Sequence, residues 1–424
     1  MNKILNNGFF SLLFFIFFTI YFLISLPYYS GDVINYIVWG ESILKQSPIG
    51  FYDRYFHDFS FPNYPPISML LFAFCVWLYD LVFRAVHYLN NVLPIFPSFL
   101  VPLIEWENTK ISFLKLPAII PSIGIAVWFY LILNQLKKEL SRKTKLFHIV
   151  LFLINPAIIY LAAIWGQNDL QQNLFILFAF YFLLRKKLWV SAVFGALAIL
   201  SKQTILVIWA IYMLTFLKLY KFKKTFIGGL ITLVVLYLFY LPFNNHGLLW
   251  PFEFYIKTLS VSTGFLVSDN AINLWGTLFN FQPVDAAQTV FLFSWERWGF
   301  MLFLISFLPL AYIFWKKQFN IERLFQFLFV TSLCYFFVLT RMHERYLIPA
   351  VIFSAVLAVI NKRYWLNYLF FSMLFFINLY KGLYQPDIPL LTILVKNNIF
   401  LNLLVIIYAL FLVYNYYLFL KDSD

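Results

Sequence analysis

The chain has 424 residues, 63% of them hydrophobic, 23% aromatic and only 12% charged, and its mean hydropathy is +0.81. A soluble globular domain is nearer half apolar and a quarter charged, so the composition excludes one and predicts an all-α polytopic membrane protein. The formal net charge of +13 does not point to nucleic acid, because the lysines and arginines gather in short turns between apolar runs.

The first apolar run, 9–26, follows only Lys3 and has no small-residue cleavage site, which predicts a retained first span. Further spans are predicted at 67–83, 118–136, 147–165, 170–184, 188–200, 205–219, 226–241, 300–314, 325–339, 347–360, 364–380 and 399–419. Basic turns at 137–145, 185–187, 218–224, 316–323 and 362–363 are expected on the cytoplasmic side. Consistent sidedness then needs one more short return at 92–104, interrupted by Pro94, Pro97 and Pro102. The expectation is a bundle of 12–14 spans, forming a single integral domain over residues 1–424, in a cell inner (plasma) membrane. Residues 27–66 and 242–298 become external loops, and the turns 166–169, 201–203 and 341–346 emerge on the same outer side. Cys75 and Cys334 both lie in apolar runs, so no disulfide framework is expected.

Several polar residues stand out against this background. Gly31 permits a sharp exit from the first span, and Val33, Ile34, Ile37 and Val38 fit an amphipathic helix in the interface. That pins Asp32 at the membrane surface, where a carboxylate can act as general base or cap the helix. Tyr64-Pro65-Pro66 opens the second span. In the turn Gly166-Gln167-Asn168-Asp169, Gln167 and Asp169 could bind sugar hydroxyls, and Asp169 could equally cap the span that follows. Lys202 lies between apolar pairs and calls for an anionic partner, with snorkelling to the interface as the alternative. Arg341-Met342-His343-Glu344-Arg345-Tyr346 puts four ionisable groups at the end of a span. Two guanidiniums and an imidazole suit a phosphate, with Glu344 holding them; an ion-pair network tying span ends together is the other reading. The five histidines show no His-Glu-x-x-His spacing, no cysteine pair is present, and no phosphate-cradling glycine loop or Gly-x-Ser-x-Gly elbow occurs.

The order Gly31-Asp32, Tyr64-Pro65-Pro66, Asn155-Pro156, Gly166-Gln167-Asn168-Asp169, Ser201-Lys202-Gln203 and His343-Glu344-Arg345-Tyr346 resembles the GT-C superfamily of membrane glycosyltransferases. It is similar to bacterial relatives of the second mannosyltransferase of GPI-anchor synthesis. The segment 264–275, with Asp269-Asn270-Ala271 and Asn273-Leu274-Trp275, is similar to the dolichyl-phosphate-glucose glucosyltransferases. The resemblance covers roughly residues 31–347. It implies inverting transfer of a hexose, mannose or glucose, from a polyprenyl-phosphate sugar to a glycan, lipid or protein acceptor. Asp32 matches the catalytic base; Lys202, His343 and Arg345 match positions near the donor phosphate; Arg341, Glu344, Gln167, Asp169, Tyr64 and Asn270 are expected to support the site or bind sugar. Position 34 is Ile where some members carry a second Asp, so no metal and no other cofactor is expected. A flippase, transporter or polymerase of lipid-linked envelope glycans is the competing class.

Overall fold

The computed structural model describes residues 8–135, 140–262 and 265–421. Residues 137–139 of the first predicted basic turn, and Gly264 of the segment 264–275, lie outside the described residues. In chain order the helices are α1 (Gly8–Ser25), α2 (Gly31–Gln46), α3 (Pro66–Val92), α4 (Leu100–Glu105), α5 (Glu107–Leu114), α6 (Leu116–Leu133), α7 (Arg142–Leu153) and α8 (Pro156–Ile159). A π-helical turn, Tyr160–Trp165, leads into α9 (Asp169–Leu184), α10 (Leu188–Ile199), α11 (Leu206–Tyr240) and α12 (Trp250–Ser262). Strand β1 (Ser268–Asp269), helix α13 (Leu274–Leu278) and the hairpin β2 (Thr289–Val290) and β3 (Phe293–Ser294) precede α14 (Trp295–Lys316) and α15 (Ile321–Val338). After β4 (Met342–His343) come α16 (Ile348–Ile360), α17 (Trp365–Leu383), α18 (Pro389–Lys396) and α19 (Asn398–Lys421).

The architecture is an all-α polytopic membrane protein. Among the described residues, eight helices are long and apolar enough to cross a bilayer: Gly8–Ser25, Pro66–Val92, Leu116–Leu133, Gln203–Phe243, Trp295–Lys316, Ile321–Val338, Lys362–Leu383 and Asn398–Lys421. The pair Arg142–Leu153 and Pro156–Trp165, bent by 49°, makes a ninth if counted as one span. The expected 12–14 is larger for physical reasons. Two predicted spans lie in the one 41-residue stretch Gln203–Phe243, which breaks at Lys221 (φ 61°, ψ 175°). Three others are helices of 16, 12 and 13 residues (α9, α10, α16), shorter than the ~20 a perpendicular crossing needs. The return expected at 92–104 is not a span, because α3 stops at Val92 and the prolines leave only the six-residue α4.

The chain divides into two compact units, although no linker in the sequence marks a boundary between them. One comprises Met1–Trp128, Ile158–Gln203 and Gly228–Thr258; the other comprises Phe129–Ala157, Thr204–Ile227 and Leu259–Asp424. The expected external loop 242–298 is thus shared between units.

In the second unit α15 is the central helix, with 78% of its apolar window buried, and it packs against α14, α16 and α19. Helix α19 is only 22% buried and exposes Ile399, Leu403, Ile406, Leu410, Val413 and Tyr417 at alternating three- and four-residue steps. That is one face of a helix, and lipid is the medium that covers an apolar face of this length.

In the first unit, the predicted interfacial helix is α2, whose buried face is Val33, Tyr36, Trp39, Gly40 and Ile43. Gly40 lets α2 approach α3 closely, since a Cβ there would sit 2.8 Å from the carbonyl oxygen of Phe72. Arg54 donates to the carbonyls of Gln46, Ser47 and Ile49 and so closes the C-terminal end of α2. Tyr52 packs on Phe243 and Phe254 and donates to the Tyr64 carbonyl at 2.8 Å, so residues 27–66 fold as a packed layer.

Lys115, between α5 and α6, is fully buried. Its Nζ lies within hydrogen-bonding distance of four carbonyl oxygens, Ser25 at 3.2 Å, Tyr28 at 2.7 Å, Ala163 at 3.1 Å and Ile164 at 2.9 Å, and shares its N–H donors among them. Burial pulls its pKa down from the ordinary 10.5 to about 7. Between about 7 and 10.5 the unfolded chain therefore binds more protons at this residue than the folded one, so stability rises with pH across that window. Replacing Lys115 by Met is expected to remove that rise and to lower stability by roughly 2–4 kcal/mol, because buried carbonyls lose their donor. Thermal denaturation of both proteins between pH 7 and 9 checks this.

Candidate functional site

Asp32 is the second residue of α2. The helix start is Ser30, whose side chain makes no capping bond, and Asp32 does not cap it either. Its Oδ2 accepts two bonds, from Trp165 Nε1 at 2.9 Å and Gln167 Nε2 at 2.5 Å. These donors come from the end of the π-helical turn and the residues just beyond it. Gly166, between them, has φ +80°, and a Cβ there would meet the Lys115 Cγ at 2.4 Å. Only glycine fits, for both conformation and space. Lys115 grips Ala163 and Ile164 on one side of this turn and Ser25 and Tyr28 at the α1–α2 corner on the other. The same lysine thus fixes both chain segments that meet at Asp32.

Gln167 extends the network. Its Oε1 accepts from the Tyr36 hydroxyl at 3.4 Å, which lies 3.5 Å from the Tyr64 hydroxyl. The Lys202 ammonium stands over the Tyr64 ring, 5.1 Å from its centre, and pairs with Asp169 Oδ2 at 2.8 Å. Both side chains of that pair are buried, at 3% and 0% exposure. The expected anionic partner of Lys202 therefore exists within the protein. Neither snorkelling nor capping describes what is seen: Asn168 holds the cap position of α9, and Asp169 is spent on Lys202. Further buried bonds lock the turns together. Ser68 Oγ donates to the Ser201 carbonyl at 2.6 Å, Asn168 Nδ2 to Ser68 Oγ at 2.9 Å, and Gln203 Nε2 to the Asn63 carbonyl at 2.9 Å. Asp32, Tyr64, Gln167, Asp169 and Lys202, chosen from separate stretches of sequence, thus belong to one polar network in the first unit.

The second unit holds the other expected residues. Here β1 and β4 pair in parallel, with Ser268 opposite Met342 and Asp269 opposite His343. The strand is held at the end of α15: Asn273 Nδ2 donates to the Phe336 carbonyl at 3.1 Å, and Trp275 Nε1 to that of Val338 at 2.8 Å. From the other side, Asn378 of α17 accepts from the Ile272 N–H at 2.8 Å. His343 Nδ1 lies 3.2 Å from Asp269 Oδ2 and 4.0 Å from Glu344 Oε2. Arg345 Nη1 bonds Glu344 Oε1 at 2.7 Å, and its guanidinium lies over the Tyr346 ring. Burial pushes the Glu344 carboxyl above its ordinary range, against the pull of Arg345. Asn270 takes φ +58° and accepts from Lys381 Nζ at 3.2 Å. Arg341, at φ +59°, pairs with Glu296 at 2.8 Å. Asp269, His343 and Glu344 offer metal-ligating atoms that all lie within 4.8 Å of one another.

Sequence reasoning missed Lys115, Trp165, Tyr36, Asp269 as a side chain, and Lys381. Lys115 carried the same signal as Lys202, a lone cation against an apolar run. Asp269 lies in the segment 264–275 beside Asn270, and nothing local distinguishes its carboxylate from a surface acid. Trp165 and Tyr36 carried no signal, since an aromatic in a chain with 23% aromatics is unremarked.

Breaking the buried pair has a sharp expected cost. Lys202→Met leaves Asp169 an uncompensated buried charge and is expected to destabilise by about 3–5 kcal/mol, whereas the double variant with Asp169→Leu recovers most of that loss. Thermal midpoints of the two variants in detergent check the difference. Comparison with known proteins adds nothing to this geometry: no protein-family profile matches the chain, and no curated protein matches it.

Proposed function

We propose that the protein is an inverting membrane glycosyltransferase. In this reading it moves a hexose, mannose or glucose, from a polyprenyl-phosphate sugar to a hydroxyl of a glycan, lipid or protein acceptor. Transfer would occur at the external face of a cell's inner membrane. The observation that carries the reading is the setting of Asp32. Its carboxylate sits in the first turn of an amphipathic helix, with Oδ2 fixed by two N–H donors. Oδ1 is then the oxygen that would take a proton from an acceptor hydroxyl.

The chemistry balances without a further reagent. As Asp32 accepts the hydroxyl proton, the acceptor oxygen attacks the anomeric carbon and the bond to the phosphate oxygen breaks. The lipid phosphate leaves, and the proton on Asp32 passes to water. Within the second unit, the Arg345 guanidinium and the His343 imidazole suit a phosphate, and fixed hydrogen-bond donors stabilise its charge most where water is scarce. Lys202 has no part in this assignment, because Asp169 already occupies its ammonium. Asn270, carried on the same strand corner as His343, is assigned to the sugar.

Asp32→Asn preserves the size of the side chain. It is expected to cut release of polyprenyl phosphate by about 10²–10⁴-fold while the thermal midpoint stays near that of the parent. Unchanged turnover in this variant, measured with the sugar donor that the parent uses, contradicts the assignment of the base.

A further inference from the structure

We propose that Asp269, His343 and Glu344 form a binding site for one divalent first-row transition-metal ion, of the Mn²⁺ or Zn²⁺ type. The expectation of metal-independent chemistry concerns Ile34, two residues after Asp32, and does not bear on this trio, which comes from another part of the chain. Parallel pairing of β1 with β4 sets Asp269 directly opposite His343, and Glu344 follows at the next position. The three donors are Asp269 Oδ2, His343 Nδ1 and Glu344 Oε2, with Nδ1 at 3.2 Å from the first and 4.0 Å from the second carboxylate.

An ion bonds such donors at about 2.0–2.2 Å, so two of them on one ion stand at most about 4.4 Å apart. The observed separations, all within 4.8 Å, need a few tenths of an ångström of closure at the widest pair. Asp269 is one-third exposed and Glu344 is 2% exposed, so the closure falls to the Asp269 side chain. Two carboxylates and one imidazole favour a borderline ion; an all-oxygen set would suit Mg²⁺ or Ca²⁺ better. Three protein donors also leave coordination positions open for water or an oxyanion.

Arg345 bonds Glu344 through Oε1 and leaves Oε2 facing His343; Lys381 bonds the amide oxygen of Asn270. Their positive charge lowers the affinity for a cation. The Asn378 and Asn273 contacts hold the strand carrying Asp269 against the helices, so the site does not have to be assembled on binding.

The test needs no sugar donor, so its failure and the failure of the proposed activity are separate results. Full-length protein in nanodiscs, stripped with chelator, is titrated with MnCl₂ and free Mn²⁺ is read by electron paramagnetic resonance; Zn²⁺ is then added as competitor. The expected result is one Mn²⁺ per chain, displaced by Zn²⁺. His343→Ala and Asp269→Asn are each expected to weaken binding at least about tenfold, a loss that even outer-shell changes produce. His148→Ala, on α7, is expected to leave it unchanged. If His343→Ala does not fold, Asp269→Asn, which keeps the shape of the side chain, decides the matter. No saturable Mn²⁺ binding, or parental affinity in Asp269→Asn, overturns the proposal.

Discussion

One buried lysine organises the first unit. A lysine with no exposed surface loses its hydration entirely, and it survives only where carbonyl oxygens replace the lost water. Lys115 finds four of them, two at the corner between α1 and α2 and two on the π-helical turn before Gly166. The two segments it joins carry Asp32 and its donors Trp165 and Gln167. Orientation of the Asp32 carboxylate is therefore a consequence of satisfying Lys115. Gly166 is the matching constraint, since any side chain there would displace the lysine stem.

The Lys202 pair and the His343 corner are built for different ends. Lys202 and Asp169 are sealed together below the turns 63–68, 166–171 and 200–203, and their charges cancel locally. A closed pair of this kind fixes the geometry of its surroundings and offers little to a ligand. In the second unit, His343, Arg345 and Lys381 share space with Asp269 and Glu344 at a partly accessible strand corner. Positive φ at Arg341 and Asn270 marks that corner as backbone held in a disfavoured region by its surroundings, as at many binding sites.

The membrane class was legible in composition alone, and so was the helix after Gly31, because apolar spacing and a glycine exit are local signals. Pro66 at the start of α3 was legible for the same reason. Fewer helices are long enough to cross a bilayer than there are apolar runs, because runs of 12–16 residues look alike in sequence whether or not their helices reach span length. Partnerships were out of reach. Nothing near Lys202 in sequence names Asp169, which begins α9, and a carboxylate at Asp32 looks the same whether it caps a helix or accepts from Trp165 and Gln167. The division into two units was hidden too, since each is made of three separated segments.

The central claim is that a sugar carried on a lipid monophosphate is the substrate. Purified protein in nanodiscs, incubated with polyprenyl-phosphate hexoses and a set of hydroxyl acceptors, reads this directly through the polyprenyl phosphate released. The account predicts release from at least one of these donors, matched by a glycosylated acceptor of inverted anomeric configuration. No release from any monophosphate donor, together with consumption or translocation of a diphosphate-linked glycan, would contradict it.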